Sequence, residues 1–315
     1  MPRTVRPRPA AFALTALLAA ASTACGAATP APARPVADRA AVERTPAAPP
    51  VNVRKEIHAL ETSRKTRIGA FAVDTGTGRT AGYHDGERFP SLSTFKAIAC
   101  AAVLAKARRT DPGLPARVVH WTDTEEVDNS PVTKGHGTAG MTVADLCEAA
   151  ITQSDNTAGN MILRQIGGPA GLTRYYRSLG DPLSRLDRWE TDLNIWRPGE
   201  HRDTTTAAAM GRDLRATATG GALTAPDRAT LTGWMRATIT GGARIKSALP
   251  PGWTAGNKTG TGSTYGTAND IAVAWPPTGA PVVIAVFSRR TDPAGTADEE
   301  AIAGTARVLL RALGR

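Results

Sequence analysis

Strand-forming sequence in this chain is concentrated at two places far apart, and the stretch between them reads as helix. RIGAFAVDT (67–75) and GRTAGYH (78–84) are apolar-rich runs joined through Thr75-Gly76-Thr77-Gly78, the pattern of a hairpin. Some two hundred residues later TANDIAVAWPP (267–277) and APVVIAVFSRR (280–290) repeat it around Pro277-Thr278-Gly279, and residues 297–315 close the chain as an amphipathic helix. From Ser93 to about Ile239 the apolar residues follow helical spacing, as in STFKAIACAAVLAKARR, MTVADLCEAAITQ with Thr142 as its cap, and DRATLTGWMRATI. The pattern predicts an α/β chain of the α+β kind: an antiparallel sheet built from both chain ends and flanked by helices, with a mostly α-helical lobe inserted. The sheet lobe would take about 53–90 and 240–315 and the helical lobe about 91–239, with a cleft and any active site at the seam.

The start of the chain belongs to a different regime. Residues 1–24 carry Arg3, Arg6 and Arg8, then an apolar run from about Ala10 to Ala21 and small residues before Cys25, the layout of a secretory signal peptide rather than a membrane span. The protein is expected to be exported, either released by cleavage after Ala24 or lipid-anchored through Cys25 on the outer face of the cytoplasmic membrane. Residues 25–52 are rich in Ala and Pro and poor in large apolar side chains, so a disordered tether is expected there, with folding from residue 53 to 315.

Export leaves Cys100 and Cys147 in an oxidising compartment, which predicts one disulfide between them; two buried free thiols are the alternative. The five histidines show no ligand spacing, so neither a metal site nor a cofactor is expected. The formal net charge of +10 does not indicate nucleic acid. Seven arginines against Asp38 and Glu43 place half of it before residue 55, and the rest is dispersed without interleaved aromatics.

Four short elements carry the chemistry. Ser93 stands three residues before Lys96 at a helix start, where Lys96 falls one turn on and on the same face; a serine there also suits an N-cap. Ser154-Asp155-Asn156 separates two helical segments, and Lys258-Thr259-Gly260 lies in a strand. The fourth element is the run 180–203, GDPLSRLDRWETDLNIWRPGEHRD, which lacks convincing periodicity yet holds two Trp, one Ile and the Arg188/Asp203 pair. That content argues for a packed, functional loop.

In this order and spacing, from about residue 53 to the C-terminus, the four elements resemble the serine β-lactamases of class A. The resemblance implies Ser93 as nucleophile, with Lys96 or Glu190 (through water) as acylation base, and both choices stay open. It implies that Ser154 passes a proton to the departing lactam nitrogen, and that Glu190 with Asn194 holds the deacylating water. Asn156 would meet the acylamide side chain, and Lys258, Thr259, Thr261 and Arg244 the substrate carboxylate. Backbone N–H groups of Ser93 and Thr261 would form the oxyanion hole. Asp155 would be structural, and Asn160 would tie the loop to the helix beneath it. The resemblance also supports the Cys100–Cys147 cystine and implies a monomer acting on penicillins and cephalosporins. Leu92 and Gly262 stand where some carbapenem-hydrolysing members carry cysteines, which weighs against that specialisation. Two rivals share part of this set, a D,D-peptidase and a sensor that acylates once. Neither needs the deacylating Glu190.

Overall fold

The computed structural model describes residues 51–315. The expected signal peptide, Cys25 and nearly all of the expected tether lie outside the described residues. Helix α1 (Val53–Arg64) leads into strands β1 (Thr66–Asp74), β2 (Thr80–Tyr83) and β3 (Arg88–Pro90). Then come α2 (Phe95–Arg109), the short strands β4 (Val118–Val119) and β5 (Met141–Thr142), and α3 (Val143–Thr152), α4 (Asn156–Ile166) and α5 (Gly168–Ser178). After the long loop follow β6 (Thr204–Thr206), α6 (Ala207–Ala218), α7 (Ala225–Arg236), β7 (Thr254–Thr261), β8 (Ala268–Trp275), β9 (Val282–Arg290) and α8 (Glu299–Ala312).

The expected sheet is present. Its order is β2-β1-β9-β8-β7, every neighbour antiparallel, so the two hairpins are joined where β1 meets β9, from Thr66 opposite Arg290 to Asp74 opposite Val282. Period two sends alternate residues to opposite faces. Ile68, Ala70, Val282, Ile284 and Val286 pack beneath α1 and α8 with Ile57, Ile302 and Leu309. Phe71, Val73, Val283, Ala285 and Phe287 face the helical side with Met210 and Leu214 of α6. Both faces are covered, which explains why β9 reads as an unbroken apolar run rather than an alternating one.

Helix α1 has no counterpart in the sequence reading, because Ile57 and Leu60 are too few to make a helical stripe stand out. It forms because Asn52 caps it, accepting Lys55 N–H at 3.0 Å, and because Ile57 is buried against the sheet. Helix α2 is the opposite case. Every residue from Phe95 to Ala105 is buried, the all-round burial of a central core helix. It carries the Ser93 turn into the middle of the molecule. Strand β3 pairs with β6, Phe89 opposite Thr205, and so fastens the end of the long loop to the segment that leads to Ser93.

Candidate active site

Ser93 is not a helix cap. It sits in a 3₁₀ turn, Leu92–Thr94, that runs into α2 without any side-chain cap, and its hydroxyl is turned toward Lys96. Leu92 ahead of it has φ +48°, a left-handed conformation that costs a residue with a Cβ on the order of 1 kcal/mol or more. The turn is held by its surroundings: Ser91 N–H donates to Asp203 O at 2.8 Å, and Asn269 Nδ2 donates to Pro90 O at 2.8 Å.

Lys96 is fully buried, and its Nζ is 3.0 Å from Ser93 Oγ, 2.9 Å from Glu190 Oε1, 2.6 Å from Asn156 Oδ1 and 2.9 Å from Ser154 O. Burying a polar amine costs little only when its hydrogen bonds are satisfied, and these four partners satisfy them. Ser93 Oγ is also 3.4 Å from Glu190 Oε1. One hydroxyl therefore has an amine and a carboxylate within reach, and these two touch each other. Gly159 on α4 permits this, since a Cβ there would lie 2.8 Å from Lys96 Cε.

The second cation is Lys258 on β7, also fully buried, donating to Ser154 Oγ at 2.9 Å and to Thr259 O at 2.8 Å. Burial holds its ammonium well below the usual lysine range, and the like charge on Lys96 acts in the same direction. Ser154, with φ +60°, turns its hydroxyl to this lysine and its carbonyl to Lys96. Asp155 is occupied structurally: it caps α4 through Ala158 N–H at 2.8 Å and accepts Val132 and Thr133 N–H, each at 2.9 Å.

The long loop is packed as its composition suggests. Arg188 Nε donates to Asp203 Oδ2 at 2.6 Å, while Asp203 Oδ1 accepts the N–H groups of Asp187 at 2.7 Å and Arg188 at 2.9 Å. Asn160 of α4 brackets Glu190, accepting its N–H at 2.9 Å and donating to its carbonyl at 3.0 Å. Asn194 Nδ2 donates to Glu190 Oε2 at 2.6 Å. The Glu190–Thr191 peptide is cis.

Across the cleft, Arg244 is buried at the end of β7. Its guanidinium donates to Gly260 O at 2.9 Å, Asn269 O at 2.8 Å and Thr261 Oγ at 2.8 Å, and pairs with Glu299 at 3.2 Å. The cavity between these groups is about 430 Å³, and Ser93, Ser154, Asn156, Asn194, Thr259 and Thr261 all line it. Gly260 lets β7 approach the nucleophile turn, for a Cβ there would meet Leu92 Cβ at 2.8 Å and Ser93 N at 3.3 Å. A larger cleft of about 570 Å³ between α2, α5 and α7 also holds hydroxyls and an acid, but these are spent on structure: Thr224 and Asp227 cap α7, Asp227 pairs with Arg108 at 3.0 Å, and Ser178 donates to Tyr175 O at 2.7 Å.

The sequence-derived residues thus converge, apart from the two cysteines. Cys100 and Cys147 are free thiols in this structure, where a cystine was expected. Cys100 Sγ faces the Cys147 carbonyl oxygen at 3.8 Å, and full burial pushes its thiol well above the usual range. Sequence reasoning missed Asn129, Gln153, Thr240 and Glu299, which also line the cavity. Asn129, Thr240 and Glu299 are single polar residues in loops or at a helix start with no motif around them, while Gln153, at the end of α3, is the residue just before Ser154-Asp155-Asn156. Among the described residues no group of acidic, His or Cys side chains is arranged for a metal.

Comparison with known proteins identifies the family and the fold. Residues 52–313 match the model of the Beta-lactamase enzyme family. The chain is 51% identical over 255 residues to beta-lactamase AST-1 of Nocardia asteroides, covering 81% of this chain and 82% of that protein. It is 44% identical over 247 residues to the carbapenem-hydrolyzing beta-lactamase KPC of Klebsiella oxytoca, covering 78% and 84%. The crystal structure of a beta-lactamase from Streptosporangium roseum superposes with a TM-score of 0.82 at 60% identity, covering 83% of this chain and 98% of that one.

Proposed function

This chain belongs to the beta-lactamase enzyme family and is a class A serine β-lactamase; on that premise we propose how its own residues carry the reaction. The observation that supports the proposal most is the contact of Ser93 Oγ with both Lys96 Nζ at 3.0 Å and Glu190 Oε1 at 3.4 Å. Ser93 Oγ attacks the lactam carbonyl carbon and gives its proton to the neighbouring base; Lys96 is the nearer of the two, and Glu190 can act through water. The carbonyl oxygen becomes an oxyanion between the N–H groups of Ser93 and Thr261. When the tetrahedral intermediate collapses, the C–N bond breaks and the nitrogen takes a proton through Ser154, which Lys258 supports from 2.9 Å.

The ester left on Ser93 is the step that separates turnover from trapping. Glu190 Oε2 and Asn194 Nδ2, 2.6 Å apart, form one edge of the water site. Water gives its proton to Glu190 as its oxygen attacks the ester carbonyl, and Ser93 leaves with a proton. A positioned base of this kind contributes on the order of 10²- to 10⁴-fold. Arg244, Thr259 and Thr261 take the substrate carboxylate and Asn156 its acylamide group. The proposed substrates are penicillins and cephalosporins.

The remaining readings are proposals from sequence. Residues 1–24 support export, followed by release or lipid anchoring at Cys25. The adjacency of Cys100 and Cys147 supports a cystine once the protein reaches an oxidising compartment, and the protein is proposed to act as a monomer. Incubation with an excess of benzylpenicillin tests the catalytic reading. Many equivalents should be hydrolysed by the parent and none by Ser93→Ala. A stoichiometric adduct that never clears from the parent would mark a peptidase or sensor instead.

A further inference from the structure

Behind the carboxylate subsite lies a buried acid that the reaction above does not use. Asp270 stands on β8 opposite Thr259 and is fully buried. Its Oδ2 accepts the N–H of Ile245 at 3.1 Å, which fastens the backbone beside Arg244. Its Oδ1 accepts Asn257 Nδ2 at 2.8 Å. Asn257 is the residue before Lys258, also fully buried, and its own Oδ1 has no partner. An orphan amide oxygen at such a depth is uncommon and calls for a reason.

The two side chains make complementary hydrogen bonds in both protonation states of the acid. With Asp270 ionised, Asn257 points Nδ2 at it, as observed. When Asp270 Oδ1 takes a proton from water, that oxygen becomes a donor, and half a turn of the Asn257 amide brings its Oδ1 round to accept. Ile245 N–H keeps its acceptor on Oδ2 throughout. The orphan oxygen is the acceptor that the second state would use.

The charges around Asp270 connect this proton to the substrate. Arg244 and Lys246 face it from the 240–248 segment and Lys258 from β7. Glu299 of α8 holds the far side of Arg244, and Lys96 and Glu190 lie beyond Lys258. Burial opposes the carboxylate and lifts its pKa to about 7, although Asn257, Arg244, Ile245 N–H and Lys258 all act to lower it.

We propose that Asp270 is a positioning residue of the carboxylate subsite: it anchors the backbone next to Arg244, and by gaining or losing one proton it sets how strongly the subsite favours an anionic substrate. The proposal rests on the reading that Arg244 and its neighbours take the substrate carboxylate. Protonation removes one negative charge from beside three cations, so the preference for an anion is greater in acid.

The test is the ratio of kcat/KM for benzylpenicillin to that for its methyl ester, followed across neutral pH. Steps of the reaction that the two substrates share cancel in the ratio. In the parent the ratio should fall with rising pH through an inflection near 7, by on the order of 5-fold. In Asp270→Asn, which keeps an acceptor for Ile245 N–H and a donor for a turned Asn257, it should stay at the parent's acid plateau. A flat ratio in the parent overturns the proposal, as does an inflection that survives Asp270→Asn or vanishes in Glu299→Gln. If Asp270→Asn does not fold, the ¹³C carboxyl resonance of Asp270 in the parent reads the same proton: a midpoint near 7 is expected, and one below about 5 overturns the proposal. That resonance is informative even if penicillin is not turned over, so failure of the catalytic reading remains distinguishable.

Discussion

Replacing Asp213 of α6 with Asn should stabilise this protein in alkali and leave it unchanged in acid. Asp213 is 2% exposed and its Oδ2 has no hydrogen-bond donor, because its neighbour is a second carboxylate, Asp181, at the entrance of the long loop. Asp181 accepts Leu183 N–H at 2.7 Å and Ser184 N–H at 3.1 Å, whereas Asp213 Oδ2 accepts none, and it is Asp213 that keeps its proton. Burial first, then Asp181, lifts the Asp213 pKa from 3.8 to about 9, against the weaker pull of Arg212 and Arg177. The folded state therefore binds this proton more tightly than the unfolded chain. Its contribution is complete below the unfolded pKa and is lost as pH rises through the folded one. The whole interval corresponds to about 7 kcal/mol at 1.4 kcal/mol per pH unit.

Asn at 213 supplies the missing donor at every pH. Between about pH 5 and about pH 9 the parent should lose on the order of 5 kcal/mol relative to Asp213→Asn, a widening gap in Tm of on the order of 10 °C or more. Differential scanning calorimetry on both proteins across that range measures it. Curves that fall in parallel would refute the argument, since they would show that Asp213 does not hold its proton in the fold.

Asp203→Ala removes a buried carboxylate that serves Arg188 and two backbone N–H groups, so a loss of about 3–5 kcal/mol is expected by urea unfolding, together with slower deacylation, because the same loop carries Glu190. Gly260→Ala would put a methyl group 2.8 Å from Leu92 Cβ and push β7 away from the nucleophile turn; kcat/KM for benzylpenicillin should fall by on the order of 10²-fold while the Tm shifts little.

What the sequence could show was set by how local each signal is. The sheet was legible because both hairpins announce themselves through turn dipeptides and apolar runs, and closing β1 on β9 needs only that the two pairs share one core. The reacting groups were legible for a related reason: Ser93 with Lys96, Ser154 with Asn156, and Glu190 with Asn194 are each close in sequence, and the fold merely brings the pairs together. Helix α1 was missed because its apolar stripe is only Ile57 and Leu60. Glu299 was missed because its role depends on Arg244, fifty-five residues away in sequence, approaching it at 3.2 Å. The Asp181–Asp213 and Asn257–Asp270 pairs are equally silent, for an acid in an amphipathic helix or a strand reads as surface until its burial is known. The capping role expected of Ser93 failed for a local reason, since the 3₁₀ turn directs its hydroxyl to Lys96 instead.

The central claim is that Ser93 forms an ester which Glu190 clears. Intact-mass and peptide mapping of Glu190→Ala, mixed with benzylpenicillin and sampled from seconds to hours, tests it most directly. One penicillin mass should appear on the peptide that contains Ser93 and persist, while the parent carries it only during turnover. Clearance from Glu190→Ala at the parent's rate, or an adduct on any other residue, would contradict the account.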